Sequence, residues 1–121
     1  MFHVQSDKAQ NLLEIHFSGN VTPGETKRYL EEINAALTNL QPGFTLLTDM
    51  SKLENMTPAC APDLKATMDA CRKAGVARVI RVIPDPHKDI GLSIMSLFHY
   101  PRKIRIITCE TMDEARKILA E

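Results

Sequence analysis

After an opening pair of strand patterns, every strand pattern in this sequence is followed by a helix pattern, and that alternation constrains the fold most. The order along the 121 residues is β-β-α-β-α-β-α-β-α. Two parallel neighbouring strands need a long crossover, which a helix supplies, whereas an antiparallel pair needs only a turn. We therefore predict one α/β domain over residues 1–121, with an N-terminal β-hairpin and a mixed, mostly parallel sheet flanked by helices.

Five segments have the composition and periodicity of β-strands. They are residues 2–5, 12–17, 44–48, 76–83 and 104–108. In the second segment, apolar residues at 13, 15 and 17 alternate with polar residues at 14 and 16, which is typical of a strand with one covered face. The third segment is apolar without clear alternation, which indicates an interior strand covered on both faces. Gly19 and Asn20 predict the end of the second strand, and residues 49–56 are predicted to form a loop.

Helix starts are marked by capping residues. Thr22 and Thr111 are each followed three residues later by a glutamate, which predicts two capped starts. Thr57 before Pro58 predicts a third, with the threonine hydroxyl as the cap and the proline at the first helical position. Apolar residues recur at 30, 33, 37 and 40 in the first helix and at 61, 64, 68 and 71 in the second, so each has one face for the core. A further helix is predicted over residues 89–98.

Composition argues against several classes of function. Lys plus Arg and Asp plus Glu each number 15, so the basic excess of a nucleic-acid-binding protein is missing. No run approaches the ~20 apolar residues of a membrane span, and the first residues lack a signal-peptide pattern, so we expect a cytoplasmic protein. The three cysteines lack C-x-x-C spacing and the four histidines lack ligand spacing, which predicts reduced thiols, no metal site and no cofactor.

A few residues capable of chemistry follow the predicted parallel strands. Ligands of open α/β sheets bind beyond the carboxyl ends of the strands, where this sequence has Asp49, Ser51, Asp85 and His87. One interpretation pairs the two aspartates at one rim, with His87 as a general base. The other is that the aspartates cap turns or helix starts. Common enzyme motifs such as G-x-G-x-x-G and G-x-S-x-G are absent from the sequence, so we predict a protein that is not an enzyme.

The predicted helix over residues 89–98 has more apolar surface than one buried face requires. Leu92 and Met95 lie off the stripe that contains Phe98. Serines are the only polar residues between residues 90 and 98. Such a helix is covered by a partner protein, by a second copy, by an apolar ligand or by its own neighbours. The pattern leaves these alternatives open.

Four stretches of the sequence are similar to a known family. They are residues 19–22, 46–51, 81–85 and 111–115. With the order of elements, they resemble the STAS domain, the fold of anti-sigma factor antagonists and of the cytoplasmic tails of sulfate transporters. The resemblance extends over nearly the whole chain and is to the small STAS-like proteins grouped with the sporulation anti-sigma factor antagonist. It implies a bacterial regulatory domain that binds another protein or itself.

The sequence departs from that family at its regulatory serine. In phosphorylated STAS domains a serine opens the helix after the central strand, and aligning residues 49–51 with that region puts Pro58 at the acceptor position. Proline has no hydroxyl, so we predict that the usual phosphoserine switch is absent, with Thr57 as the only nearby substitute.

The sequence therefore predicts a non-enzymatic STAS-like regulatory or protein-interaction domain. It binds a partner protein or a second copy through the predicted helix over residues 89–98 and the loop before Thr57. The alternative is a carrier of a small apolar ligand or lipid, in which the same helix closes a cavity. The residues expected to contact the partner or ligand are Asp49, Ser51, Thr57, Pro58, Asp85, His87, Leu92, Met95 and Phe98.

Overall fold

The computed structural model describes residues 1–83 and 104–121, and five strands in this part of the chain form one sheet. They are β1 (Phe2–Asp7), β2 (Leu12–Val21), β3 (Thr45–Met56), β4 (Arg78–Val82) and β5 (Arg105–Cys109). Their order in the sheet is β1-β2-β3-β4-β5. β1 and β2 are antiparallel and the other pairs are parallel, which confirms the predicted hairpin and mostly parallel sheet.

Helices cover both faces of the sheet. They are α1 (Pro23–Leu37), α2 (Ala61–Lys73) and α3 (Met112–Ala120). α1 and α2 share one hydrophobic core with the sheet, and α3 shares the other, so we name the two sides the α1/α2 face and the α3 face. Leu46 and Leu47 of β3 are buried in these two cores, which confirms the prediction of a strand covered on both sides. Among the described residues, no helix is long and apolar enough to cross a membrane.

The buried stripe of α1 differs from the predicted one by a residue. Tyr29, rather than Leu30, is buried in the core with Ile33. The Tyr29 ring meets Phe2 and Phe17 edge to face, with centroids 5.7 Å and 5.2 Å apart. Aromatic edge contacts add stability to the area that the large ring buries, which explains why tyrosine takes the inner position.

β2 and β3 run further than the sequence predicts. Pairing continues from Ser18 with Lys52 to Val21 with Met56, so Gly19 does not end β2 and residues 49–56 are not a loop. The register shifts twice along this stretch because β3 has an extra residue at each bulge. Gly19 has a φ of +62°, a conformation that glycine adopts without strain, so it continues the irregular strand. Both predictions were wrong because they treated the glycine as a break.

Two of the predicted caps are present, and a glycine follows α2. Thr22 Oγ1 accepts a hydrogen bond from the Glu25 N–H at 3.4 Å, and Thr111 Oγ1 accepts one from the Glu114 N–H at 3.2 Å. Gly75 follows α2 with a φ of +95°, and a Cβ at this position would lie 3.0 Å from Pro42 Cβ. Both the conformation and the close approach therefore require glycine here.

Candidate functional site

One row of paired residues crosses the sheet where β4 and β5 end. The row has one residue from each strand, β1 to β5, and each is paired in register with the next. In order they are His3, His16, Asp49, Val82 and Cys109. Val82 and Cys109 end their strands and belong to the core on the α3 face. Residues paired in register share a face, so Asp49 lies on the α3 face at the carboxyl end of β4, although it is in the middle of β3.

Asp49 is held by three hydrogen bonds. Its side chain is 9% exposed, and Oδ1 accepts bonds from Ser51 Oγ at 2.7 Å and from the Ser51 N–H at 3.0 Å. Oδ2 lies 3.0 Å from His16 Nδ1. Burial by itself raises the pKa of Asp49, but the bonds from Ser51 and His16 outweigh burial and hold the pKa below its ordinary value. Asp49 is therefore a stable carboxylate.

His16 lies between two carboxylates. Nδ1 faces Asp49, and Nε2 lies 3.4 Å from Glu14 Oε2. The side chain is 30% exposed, and its ring centroid is 6.4 Å from that of His3 across the hairpin. Each ring nitrogen of His16 thus faces a carboxylate oxygen.

Glu14 connects this row to α3. Its side chain is only 4% exposed, and its carboxylate accepts a 3.0 Å hydrogen bond from Gln5 Nε2 and another hydrogen bond from Arg116 Nη1 of α3. The alternation in β2 predicted a strand with one covered face, which would leave Glu14 exposed. This prediction was wrong, because α3 packs on the other face and buries Glu14, and the sequence alone does not show that packing.

The geometry favours a structural network over catalysis. Ser51 Oγ donates to Asp49, whose pKa is held below its ordinary value, so the carboxylate beside this hydroxyl is a weak base. Every buried polar side-chain atom in residues 1–83 and 104–121 has a hydrogen-bond partner. In the same residues, no three His, Cys, Asp or Glu side chains are placed to hold a metal ion.

The three cysteines are buried. Burial raises the pKa of the Cys71 thiol to about 12, and burial together with the nearby Glu114 carboxylate raises the pKa of Cys109. A raised pKa leaves little thiolate, so neither residue is a ready nucleophile or metal ligand. Cys60 Sγ lies 3.7 Å from the carbonyl oxygen of Val21, inside the core.

An exposed tip follows β3. Thr57, Pro58 and Ala59 are exposed at the start of a 3₁₀ turn, Pro58–Cys60, that leads into α2. The predicted side-chain cap at Thr57 was wrong, because the Cys60 N–H instead donates to the Thr57 carbonyl oxygen at 3.0 Å. The Thr57 hydroxyl lies 3.9 Å from Cys60 Sγ. We name residues 57–59 the β3–α2 tip.

The structure does not gather the predicted site residues in one place. Asp49 and Ser51 lie in the network on the α3 face, whereas Thr57 and Pro58 lie beyond the far end of β3. At ~3.3 Å per residue along a strand, the two places are on the order of 20 Å apart. The other predicted site residues and the whole predicted helix over 89–98 lie outside the described residues. These site residues are Asp85, His87, Leu92, Met95 and Phe98. The paired-aspartate and apolar-helix hypotheses therefore stay predictions.

Comparison with known proteins identifies the fold. No protein-family model matches the sequence, and neither does any curated protein. The structure of the anti-sigma factor antagonist SpoIIAA in its unphosphorylated form matches with a TM-score of 0.67 and 15% identity, over 99% of this chain and 98% of that one. An uncharacterised Shewanella loihica PV-4 protein with a SpoIIAA-like fold matches with a TM-score of 0.66 and 16% identity, over 98% of this chain and 93% of its own. The chain has a STAS-like fold, as its resemblance in sequence predicted.

Proposed function

We propose that this protein is a non-enzymatic regulatory domain that binds a protein partner through the β3–α2 tip. The observation that carries the proposal is the likeness to the anti-sigma factor antagonist SpoIIAA over 99% of the chain, combined with the exposure of this tip. The backbone of the tip lies between the end of β3 and the 3₁₀ turn that leads into α2, so this protein loses little backbone entropy when a partner docks there.

The network on the α3 face supports binding over catalysis. The two ring nitrogens of His16 face Asp49 and Glu14, and Ser51 donates to Asp49. A general base needs a nitrogen directed at the proton it removes, and a serine nucleophile needs a base beside its hydroxyl. Both nitrogens of His16 are directed at carboxylates, and the carboxylate beside the Ser51 hydroxyl has a lowered pKa and is a weak base. These residues instead link β2, β3 and α3.

We further propose that binding proceeds without a phosphoserine switch. Pro58 stands at the position that aligns with the acceptor serine and has no hydroxyl. Ser51 is a poor substitute, because its hydroxyl lies 2.7 Å from the Asp49 carboxylate, which would repel a phosphate. Thr57 is exposed and its hydroxyl makes no helix cap, so this hydroxyl is open to modification.

Partner capture with matched variants tests the binding site. Wild-type protein, Pro58→Arg and Gln41→Arg are each used to purify partners from the source cells, and a protein retained by the wild type is then purified and titrated by calorimetry. Gln41 is the control because it is exposed in a loop before the opposite, amino-terminal end of β3. We expect Gln41→Arg to bind like the wild type and Pro58→Arg to bind at least about tenfold more weakly, or about 1.4 kcal/mol.

Two outcomes would count against this function. If Pro58→Arg and a second tip variant, Ala59→Arg, bind the purified partner as tightly as the wild type, the β3–α2 tip is not the binding site. If intact-mass analysis of protein from cells shows a phosphate on Thr57 that abolishes partner binding, the domain has a switch after all. Far-UV circular dichroism of each variant verifies that the fold is intact.

The apolar-ligand alternative rests on the sequence of residues 90–98, which lie outside the described residues. It predicts that an apolar molecule is released when freshly purified protein is denatured and examined by mass spectrometry. Clean extracts from several preparations would contradict it.

A further inference from the structure

Two arginines lie side by side where β4 and β5 begin. Arg78 and Arg105 are partners in register, so their side chains leave the same face of the sheet from neighbouring strands about 4.8 Å apart. This is the α3 face, because Ile80 and Ile107, two residues further along each strand, belong to the core on that side. Like charges placed directly opposite each other repel, so the pair calls for a compensating negative charge.

The described part of the chain does not supply that charge. Neither Arg78 nor Arg105 forms an ion pair within residues 1–83 and 104–121. The register row that contains them has one acid, Asp7 of β1, which is three strands and roughly 14 Å from Arg78. Guanidinium groups stay charged in proteins, so these residues leave two adjacent positive charges uncompensated.

Thr45 holds one of the two arginines in place. Thr45 Oγ1 accepts a 3.2 Å hydrogen bond from Arg78 Nε, and Arg78 is only partly exposed. This bond leaves the two Nη groups of Arg78 with their hydrogens, and it leaves the hydroxyl hydrogen of Thr45 to be donated. Thr45, Arg78 and Arg105 are the first residues of β3, β4 and β5 and are paired in register. We name these three residues the arginine row.

We propose that the arginine row binds the phosphate group of a small phosphorylated molecule. A phosphate monoester carries a charge of about −1.5 to −2 at neutral pH, which matches two guanidinium groups, and its three oxygens accept hydrogen bonds. The planar fork of each arginine fits two oxygens of one phosphate, and the Thr45 hydroxyl is a further donor. A carboxylate has a lower charge and one oxygen fewer, so it matches the row less well.

The size of the row favours a small molecule over a nucleic acid or a membrane surface. Those polyanions are bound through many basic residues spread over a long surface. The arginine row has charge for one phosphate group, and the chain has 15 basic and 15 acidic residues. Ile107 is partly exposed on the same face, so an organic group attached to the phosphate has an apolar surface beside it.

This site is independent of the proposed function. The arginine row lies at the amino-terminal end of β3, whereas the β3–α2 tip follows the carboxyl end of that strand. The presence or absence of a protein partner at the tip therefore does not decide whether the row binds phosphate.

Titration with phenyl phosphate tests the row, and benzoate is the matched probe with the same ring and a carboxylate. NMR of isotope-labelled protein follows the arginine Nε–H and backbone signals at constant ionic strength and about pH 7.5, where the phosphate is a dianion. We expect saturable shifts at Arg78 and Arg105, with a dissociation constant on the order of 1 mM for phenyl phosphate. Benzoate should bind at least about tenfold more weakly.

Arg105→Gln and Arg72→Gln are the matched variants. Each removes one guanidinium group from an exposed position, and Arg72 lies on α2, on the other side of the sheet. Arg105→Gln should weaken phenyl phosphate binding at least about tenfold, whereas Arg72→Gln should bind like the wild type. Arg105→Gln also removes the repulsion from Arg78, so we expect it to keep the fold, which the backbone signals of the same spectra verify.

Four results would overturn the proposal. The first is the lack of a saturable shift at the two arginines up to ~20 mM phenyl phosphate, about twenty times the expected dissociation constant. The second is equally tight binding by the Arg105→Gln and Arg72→Gln variants. The third is benzoate binding as tight as that of phenyl phosphate. The fourth is binding to phosphatidic acid vesicles without binding of phenyl phosphate, which would assign the row to a lipid surface.

Discussion

Replacing Arg116 by methionine tests how strongly the Glu14 network holds α3 on the sheet. Glu14 is 4% exposed and accepts hydrogen bonds from Arg116 and from Gln5. Removing one partner of a fully buried ion pair costs about 3–5 kcal/mol. Arg116 is 52% exposed and Gln5 still donates, so the loss should match a single hydrogen bond to a charged group, about 1.5–3 kcal/mol. That is a large fraction of a total stability of about 5–15 kcal/mol.

Urea unfolding followed by far-UV circular dichroism measures this loss. Arg116→Met should lower the free energy of unfolding by about 2 kcal/mol with an unchanged dependence on urea. Lys117→Met, at the next and exposed position of α3, is the control and should stay within about 0.5 kcal/mol of the wild type. A double-mutant cycle with Glu14→Gln should give a coupling free energy of at least about 1 kcal/mol. Equal losses for the two α3 variants, or no coupling, would refute the reasoning.

Three further predictions concern the backbone, acid stability and the helix caps. Gly75→Ala forces a side chain into a left-handed conformation against a close neighbour and should cost about 1–3 kcal/mol in urea unfolding. Gly24→Ala, where a Cβ would lie 4.0 Å from Thr22 Oγ1 in ordinary van der Waals contact, should stabilise by less than about 1 kcal/mol. The pKa of Asp49 is lower in the folded protein, so the unfolded chain is protonated first as pH falls, and stability is lost below about pH 4. Asp49→Asn should flatten the dependence of unfolding free energy on pH in that range, and an unchanged slope would contradict the assignment. Thr22→Ala should lower the free energy of unfolding in urea by about 1 kcal/mol, because Thr22 caps α1. Thr57→Ala should lower it by less than about 0.5 kcal/mol, because the Thr57 side chain caps no helix. Equal losses for the two variants would contradict the two geometries.

The features that the sequence predicted well are determined by neighbouring residues. The caps at Thr22 and Thr111 depend on a glutamate three residues later. The alternation of strands and helices then leaves few ways to connect a parallel sheet, so the STAS-like topology was predictable. The bounds of β4 and β5 lie within two residues of the predicted ones, because these strands too are marked by residues next to one another in the chain.

The features that the sequence did not predict depend on residues far away in the chain. Gly19 continues β2 because Leu53 of β3 pairs with it, and no local signal reports that pairing. Glu14 is buried because Arg116, 102 residues later, reaches it from α3. The Thr57-Pro58 pattern correctly predicted that the second helical segment starts at Pro58, but this start is a 3₁₀ turn rather than an α-helix, and Thr57 does not cap it.

Amide hydrogen exchange with and without the purified partner tests most directly whether the protein works by binding at the β3–α2 tip. The account predicts that partner binding slows exchange in peptides covering residues 57–60 and leaves peptides covering residues 14–16 unchanged. Slowed exchange at residues 14–16 with none at residues 57–60 would contradict it, and would move the functional site to the network around His16.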